Sequence, residues 1–150
     1  MIPQSKWVWF GNAAHFIGGR SCRFHMATQV GDYLVSTVGQ LWFDEPVRKI
    51  HAQFHDPVWF RENATKRGDD WDHAYMERFG YENIGYKRKY ETMVFKAGAS
   101  CTAEGCGCGL PSVAGTELDF DGYNDAKAAT EGHRAMCLKA ARGALRLNPP

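Results

Sequence analysis

Four of the five cysteines in this chain fall in two short segments, Cys101-Thr-Ala-Glu-Gly-Cys106-Gly-Cys108-Gly and His133-Arg-Ala-Met-Cys137. Thiolates are soft ligands, and Zn²⁺ takes four soft or borderline donors in a tetrahedron. The pattern Cys-x4-Cys-x-Cys on a glycine-rich loop supplies three donors, while His133 and Cys137, at i and i+4, project from one side of a helix. The expected ligand set is Cys101, Cys106, Cys108 and Cys137, with His133 either replacing one of them or standing just outside. With every position filled, the zinc would be structural: it would clamp the C-terminal helix to a zinc knuckle, and its binding free energy would become folding free energy. The competing reading is a plain glycine-rich turn, with Cys137 a small buried hydrophobe. Iron-sulfur ligation is disfavoured because the spacing matches neither common ferredoxin run.

A second group has the parts for phosphate chemistry. His15, Arg20, Arg23 and His25 lie close together in the chain, and Tyr90-Glu91 sits on a strand that could neighbour them. Guanidinium groups hold phosphate oxygens bidentately, and two imidazoles can act as base and acid near neutral pH. In this reading Arg20 and Arg23 hold phosphate, His15 and His25 exchange protons, and Glu91 orients a histidine or a ribose hydroxyl. Ser36 adds a hydroxyl on the same face and Tyr90 stacks on a base. The plainer reading of a strand histidine is a satisfied structural group. Cys22, beside these residues, is read as packing, and His51-Ala-Gln-Phe-His55 lacks the third ligand and glutamate of a metalloprotease helix.

These residues need elements to carry them. Arg23–Val30 and Tyr33–Gly39 flank Gly31-Asp32, which suits a two-residue type II′ turn and predicts a β-hairpin over 23–39. If Val30 pairs with Tyr33, then Arg23, His25, Ala27, Gln29, Leu34, Ser36 and Val38 share one face. Phe24, Met26, Thr28, Tyr33, Val35 and Thr37 share the other, which is the expected core face. Residues 43–70, with Pro46, Pro57 and many charges, read as a loop or lid, with Val47–His55 a strand or short helix. Trp71, Tyr75, Met76 and Phe79, between an acidic start and Gly80, predict a helix near 70–79. Tyr86–Lys96 reads as a central strand and Glu117–Phe120 as a short one, followed by a turn. A last helix is expected to run from a cap at Asp125 or Thr130 to about Leu147.

Together these elements predict one α+β domain over residues 1–150, with a central antiparallel sheet. Apolar residues make up 44% of the 150 and aromatics 13%, enough for a real core. The formal charge of +1 advertises neither nucleic acid nor an acidic membrane. No apolar run is long enough to span a bilayer, so a soluble, cytoplasmic protein without a membrane partner is expected, its thiols reduced.

The strings Gly11-Asn-Ala-Ala-His15-Phe-Ile, Cys22-Arg-Phe-His25, Gly31-Asp-Tyr-Leu-Val-Ser-Thr-Val-Gly39 and Arg88-Lys-Tyr-Glu-Thr-Met-Val-Phe95 resemble those of a family of small uncharacterised proteins of tailed phages and prophages. The resemblance implies a setting, the cytoplasm of an infected host, and no mechanism. Arg23, Ser36-Thr37 and Glu91 are also similar in order to the Arg, Ser-Thr-Ser, Glu pattern of ADP-ribosyltransferases. The final Ser is missing, however, and Thr92-Met93 follow Glu91, so the general reading stands above it. That reading is a zinc-stabilised domain that binds a phosphate-bearing nucleotide or similar small ligand at the hairpin face and possesses parts for hydrolysing it or transferring a group. Its alternative is a non-enzymatic, zinc-bearing interaction protein directed at a host protein or nucleic acid.

Overall fold

The structure, a computed structural model, describes residues 1–10 and 21–146. Among these residues five strands, β1 (Val8–Phe10), β2 (Cys22–Val30), β3 (Tyr33–Leu41), β4 (Tyr90–Ser100) and β5 (Pro111–Tyr123), form one antiparallel sheet in the order β1-β2-β3-β4-β5. Three helices, α1 (Glu45–His55), α2 (Pro57–Asn63) and α3 (Gly68–Phe79), are inserted between β3 and β4, and α4 (Ala126–Ala141) follows β5. The α+β class and antiparallel sheet are as expected.

The β2–β3 hairpin has the expected register, with Val30 opposite Tyr33. Gly31 takes φ +61° as the first turn residue, which a type II′ turn requires and a side chain would resist. Alternation then sends Thr28, Val30, Val35 and Thr37 to the face covered by α4. There they join Thr92 and Val94 of β4 and bury Met136, Cys137, Ala140 and Ala141, with Trp7 and Leu145 closing the edges. Small residues along α4 let the helix lie close to the sheet, and each fully buried Val contributes about 1.5–3 kcal/mol. Asp125 caps α4, its Oδ1 accepting from the Ala128 amide at 2.8 Å, whereas Thr130 lies inside the helix and donates to the Ala126 carbonyl.

Three expectations are corrected. Residues 43–70 are largely helical: Pro46 and Pro57 occupy first-turn positions, where the missing N–H costs nothing, and Asp56 Oδ1 accepts from Trp59 N at 3.0 Å. The helices close over Trp71 and Tyr75, with Trp42, Trp59, Phe60 and Phe79 around them. Second, β5 is one long strand of 13 residues rather than a short strand and a turn. Its pairing with β4 slips between Val94 and Lys96, and Gly115 sits in the slip at φ +77°. Bulges bend a strand. Beyond this one, Ala97 and Val113 pack with Phe10 on Ala27 and Leu34, so the far arm of the β4–β5 hairpin lies against the sheet face that α4 leaves uncovered. Third, Cys137 and His133 of α4 face the core and do not lie with the loop cysteines, as described below. Among the described residues, no helix is long and apolar enough to cross a membrane.

Candidate metal centre

The loop from Cys101 to Leu110 forms the tip of the bent β4–β5 arm. Its base is closed by the Cys101 amide donating to the Leu110 carbonyl at 2.7 Å, and the Cys106 amide donates to the Ala103 carbonyl at 3.1 Å. Gly105, Gly107 and Gly109 have φ of +77°, +64° and +64°. A glycine before, between and after Cys106 and Cys108 thus lets the chain reverse tightly enough to turn successive thiols inward. The Sγ atoms of Cys101, Cys106 and Cys108 all lie within 4.8 Å of one another. A tetrahedral ion about 2.3 Å from each sulfur needs them about 3.8 Å apart, a closure that small side-chain rotations supply. These three cysteines could therefore hold a metal ion, and Cys106 and Cys108 are exposed.

Cys137 and His133 do not join them. Cys137 is fully buried among Trp7, Val30, Val35 and Val94, where burial pushes its thiol up to about 11 and Thr28 is its hydrogen-bond partner. Its sulfur lies in this apolar core and not with the loop thiols, whose cluster comprises Cys101, Cys106 and Cys108. His133 is also fully buried: Nε2 lies 2.8 Å from Thr28 Oγ1 and Nδ1 2.7 Å from Thr37 Oγ1, which is itself 2.6 Å from Thr92 Oγ1. Both ring nitrogens are thus engaged by hydroxyls, each able to donate or accept as the neutral tautomer demands. Burial lowers the imidazole to about 4, so it is neutral at physiological pH. The helical i, i+4 relation was real, but both side chains face the sheet and act as core.

The expected hairpin-face cluster divides. His15 and Arg20 lie outside the described residues. Arg23 is exposed, with its guanidinium 4.5 Å from the Trp42 ring centroid. His25 Nε2 is 2.5 Å from the Cys22 carbonyl oxygen, and its buried Nδ1 has no partner among the described residues. Ser36 is buried. Tyr90 is on the other face, stacked where a Cβ on Gly39 would come within 2.2 Å of its ring; its hydroxyl accepts from Gln40 Nε2 at 3.1 Å. It is a core residue and not a base-stacking platform for the Arg23–His25 face. Glu91 pairs with Val38, whose other neighbour is His25, so Glu91 and His25 are two strands, about 10 Å, apart. Burial pushes the Cys22 thiol up, in keeping with a packing role.

Glu91 instead lines a cleft of about 290 Å³ at the β5 edge with Tyr86, Arg88, Phe120, Asp121 and Arg146. Burial, reinforced by the charge of Glu117, lifts its carboxyl above the ordinary range. Arg146 spans the rim, its guanidinium 5.0 Å from the Phe120 ring centroid and its Nε 3.7 Å from the buried Asp119. Asp119 is pushed up by burial, but Lys139 Nζ at 2.6 Å and the Arg146 and Phe120 amides outweigh this and hold it below the ordinary carboxylate range. Sequence reasoning missed this cleft. Its one visible signal was the charge run Lys87-Arg88-Lys89.

On α1, His51 and His55 stack at 4.3 Å between ring centroids, but His51 is engaged by Tyr75 and Glu82, at 3.1 Å and 3.5 Å. Burial, with the Glu82 charge adding, pushes the Tyr75 hydroxyl up to about 12. This group ties α1 to α3. Set against protein-family models, curated proteins and solved structures, the chain matches none of them.

Proposed function

We propose that this protein is a zinc-bearing binding domain whose metal sits at the tip of the β4–β5 arm. The observation that carries the reading is the convergence of Cys101, Cys106 and Cys108 Sγ within 4.8 Å on an exposed loop. Zinc is the favoured ion because an all-sulfur donor set on a flexible glycine loop suits a soft-tolerant, redox-inert d¹⁰ cation with no directional demand. The placement supports binding more than turnover. Among the described residues, His25 and Glu91, two of the acid–base groups expected on the hairpin face, stand two strands apart, whereas the thiol cluster is presented outward. The setting we attach to this reading is the cytoplasm of a phage-infected cell, on the resemblance of the N-terminal strings. Elemental analysis of purified protein tests it: one equivalent of zinc per chain is expected, and none from Cys106→Ser. Wild-type protein that is folded yet metal-free after expression in zinc-supplemented medium would remove the reading.

The cleft at the β5 edge favours a second reading, a small phosphate-bearing, nucleotide-like ligand held there rather than at Arg23 and His25. Arg88 and Arg146 supply guanidinium groups, Phe120 and Tyr86 aromatic faces, and Glu91 a desolvated carboxyl of the kind that clusters at functional sites. A nucleotide panel should raise the melting temperature of wild type and leave Arg88→Ala unmoved. Equal response of the two proteins would rule out the cleft.

A further inference from the structure

Building on the metal reading above, we infer that the ion on Cys101, Cys106 and Cys108 keeps one coordination position open to the outside, and that this position takes a neutral nitrogen donor, an imidazole, from a partner molecule. Zinc seeks four ligands, and closed structural sites draw all four from the protein. Among the described residues, the cluster of Cys, His, Asp and Glu groups at the tip has three members only. The two candidates from α4 are committed elsewhere, Cys137 in the apolar core and His133 between Thr28 and Thr37.

The surroundings of the loop point the same way. Cys106 and Cys108 are exposed, and a Cβ built on Gly105, Gly107 or Gly109 would meet no atom within 4 Å. Among the described residues, then, nothing crowds the three loop glycines, and a ligand can approach the loop from that side.

Charge favours a neutral donor. Three thiolates on a divalent cation leave a net −1, Glu104 adds a further negative charge within the loop, and residues 101–110 contain no Lys or Arg. A carboxylate or a fourth thiolate adds a further negative charge to this field, a cost that four-cysteine sites bear but that a neutral imidazole avoids. A histidine side chain is neutral at pH 7.5, and three sulfurs with one imidazole is a donor set zinc readily accepts. The partner is accordingly a molecule presenting a surface histidine.

Cobalt(II) on the full-length chain is the probe, since its ligand-field bands report the donor set. Addition of imidazole at pH 7.5 should shift those bands saturably, with apparent affinity about tenfold or more above that of acetate; 2-mercaptoethanol should fall below imidazole. Bands unmoved by imidazole would mean a site already closed and would overturn the inference, as would thiol binding ahead of imidazole. Loss of the thiolate-to-cobalt charge-transfer band on Cys106→Ser, alongside an unmoved ligand field in wild type, would leave the metal reading standing while this one falls. Absence of that band from wild type would sink both.

Discussion

His133 Nδ1 and Thr37 Oγ1 lie 2.7 Å apart in the interior between α4 and the sheet, and the same hydroxyl is 2.6 Å from Thr92 Oγ1. A neutral imidazole completes this chain of hydrogen bonds, and an imidazolium does not, because burial lowers the ring to about 4. The unfolded chain binds that proton near pH 6.5, so stability is full above 6.5, declines as pH falls toward 4 and levels below it. The loss across that window is expected to be about 3 kcal/mol. Urea midpoints at successive pH values check this, and His133→Gln should be less stable at pH 7.5 yet show a flattened dependence between pH 6.5 and 4.

The cysteines should separate cleanly by role. Cys106→Ser is expected to lose metal while its metal-free melting temperature stays near that of metal-free wild type, because the exposed tip contributes little packing. Cys137→Ala is expected to keep metal and lose about 1–2 kcal/mol through the cavity left against Val30 and Val94. Metal content and melting curves on the two variants decide it, and loss of metal from Cys137→Ala would contradict the placement of that thiol.

Trp71 is 1% exposed and joins α3 to α2 through ring contacts with Trp59 at 5.3 Å and Phe60 at 6.2 Å between centroids. Trp71→Ala should cost about 3–5 kcal/mol. Denaturant titration should show this loss without any change in metal content, since the three-helix insert and the metal tip are separate parts of the molecule.

Glu91 is held above its ordinary range, so its ionisation works against folding. Its favourable share is present at low pH and fades as pH rises through the folded-state value. Glu91→Gln should therefore raise the urea midpoint at pH 7.5 and leave it nearly unchanged at pH 4. If the cleft binds a ligand through this carboxyl, the same variant should lose the ligand-induced thermal shift while gaining stability.

Local rules were enough for several features. The Gly31-Asp32 turn and its flanking parity define the hairpin register, the Trp71–Tyr75 spacing marks α3, and the start of α4 narrows to Asp125 or Thr130, because each depends on neighbours a few residues away. The mutual approach of Cys101, Cys106 and Cys108 belongs here too, since a glycine-rich loop of that length can scarcely keep its thiols apart. One error was avoidable on the same grounds: Tyr90 and Glu91 are consecutive on a strand, so a period of two already forbids them one face.

What remained was decided by tertiary structure. Cys137 and His133 do project from one side of a helix, but whether that side meets a metal loop or the apolar sheet depends on how α4 docks after β5. Burial of its alanine-rich face against Val30, Val35 and Val94 determines that. Pro46 and Pro57 read locally as breaks, and it is the shared aromatic core around Trp71 that turns them into helix starts. The β5-edge cleft joins Arg88, Phe120 and Arg146 from three distant stretches. No periodicity within a single segment can announce such a meeting, because it exists only once the sheet has formed and the chain has folded back along its edge.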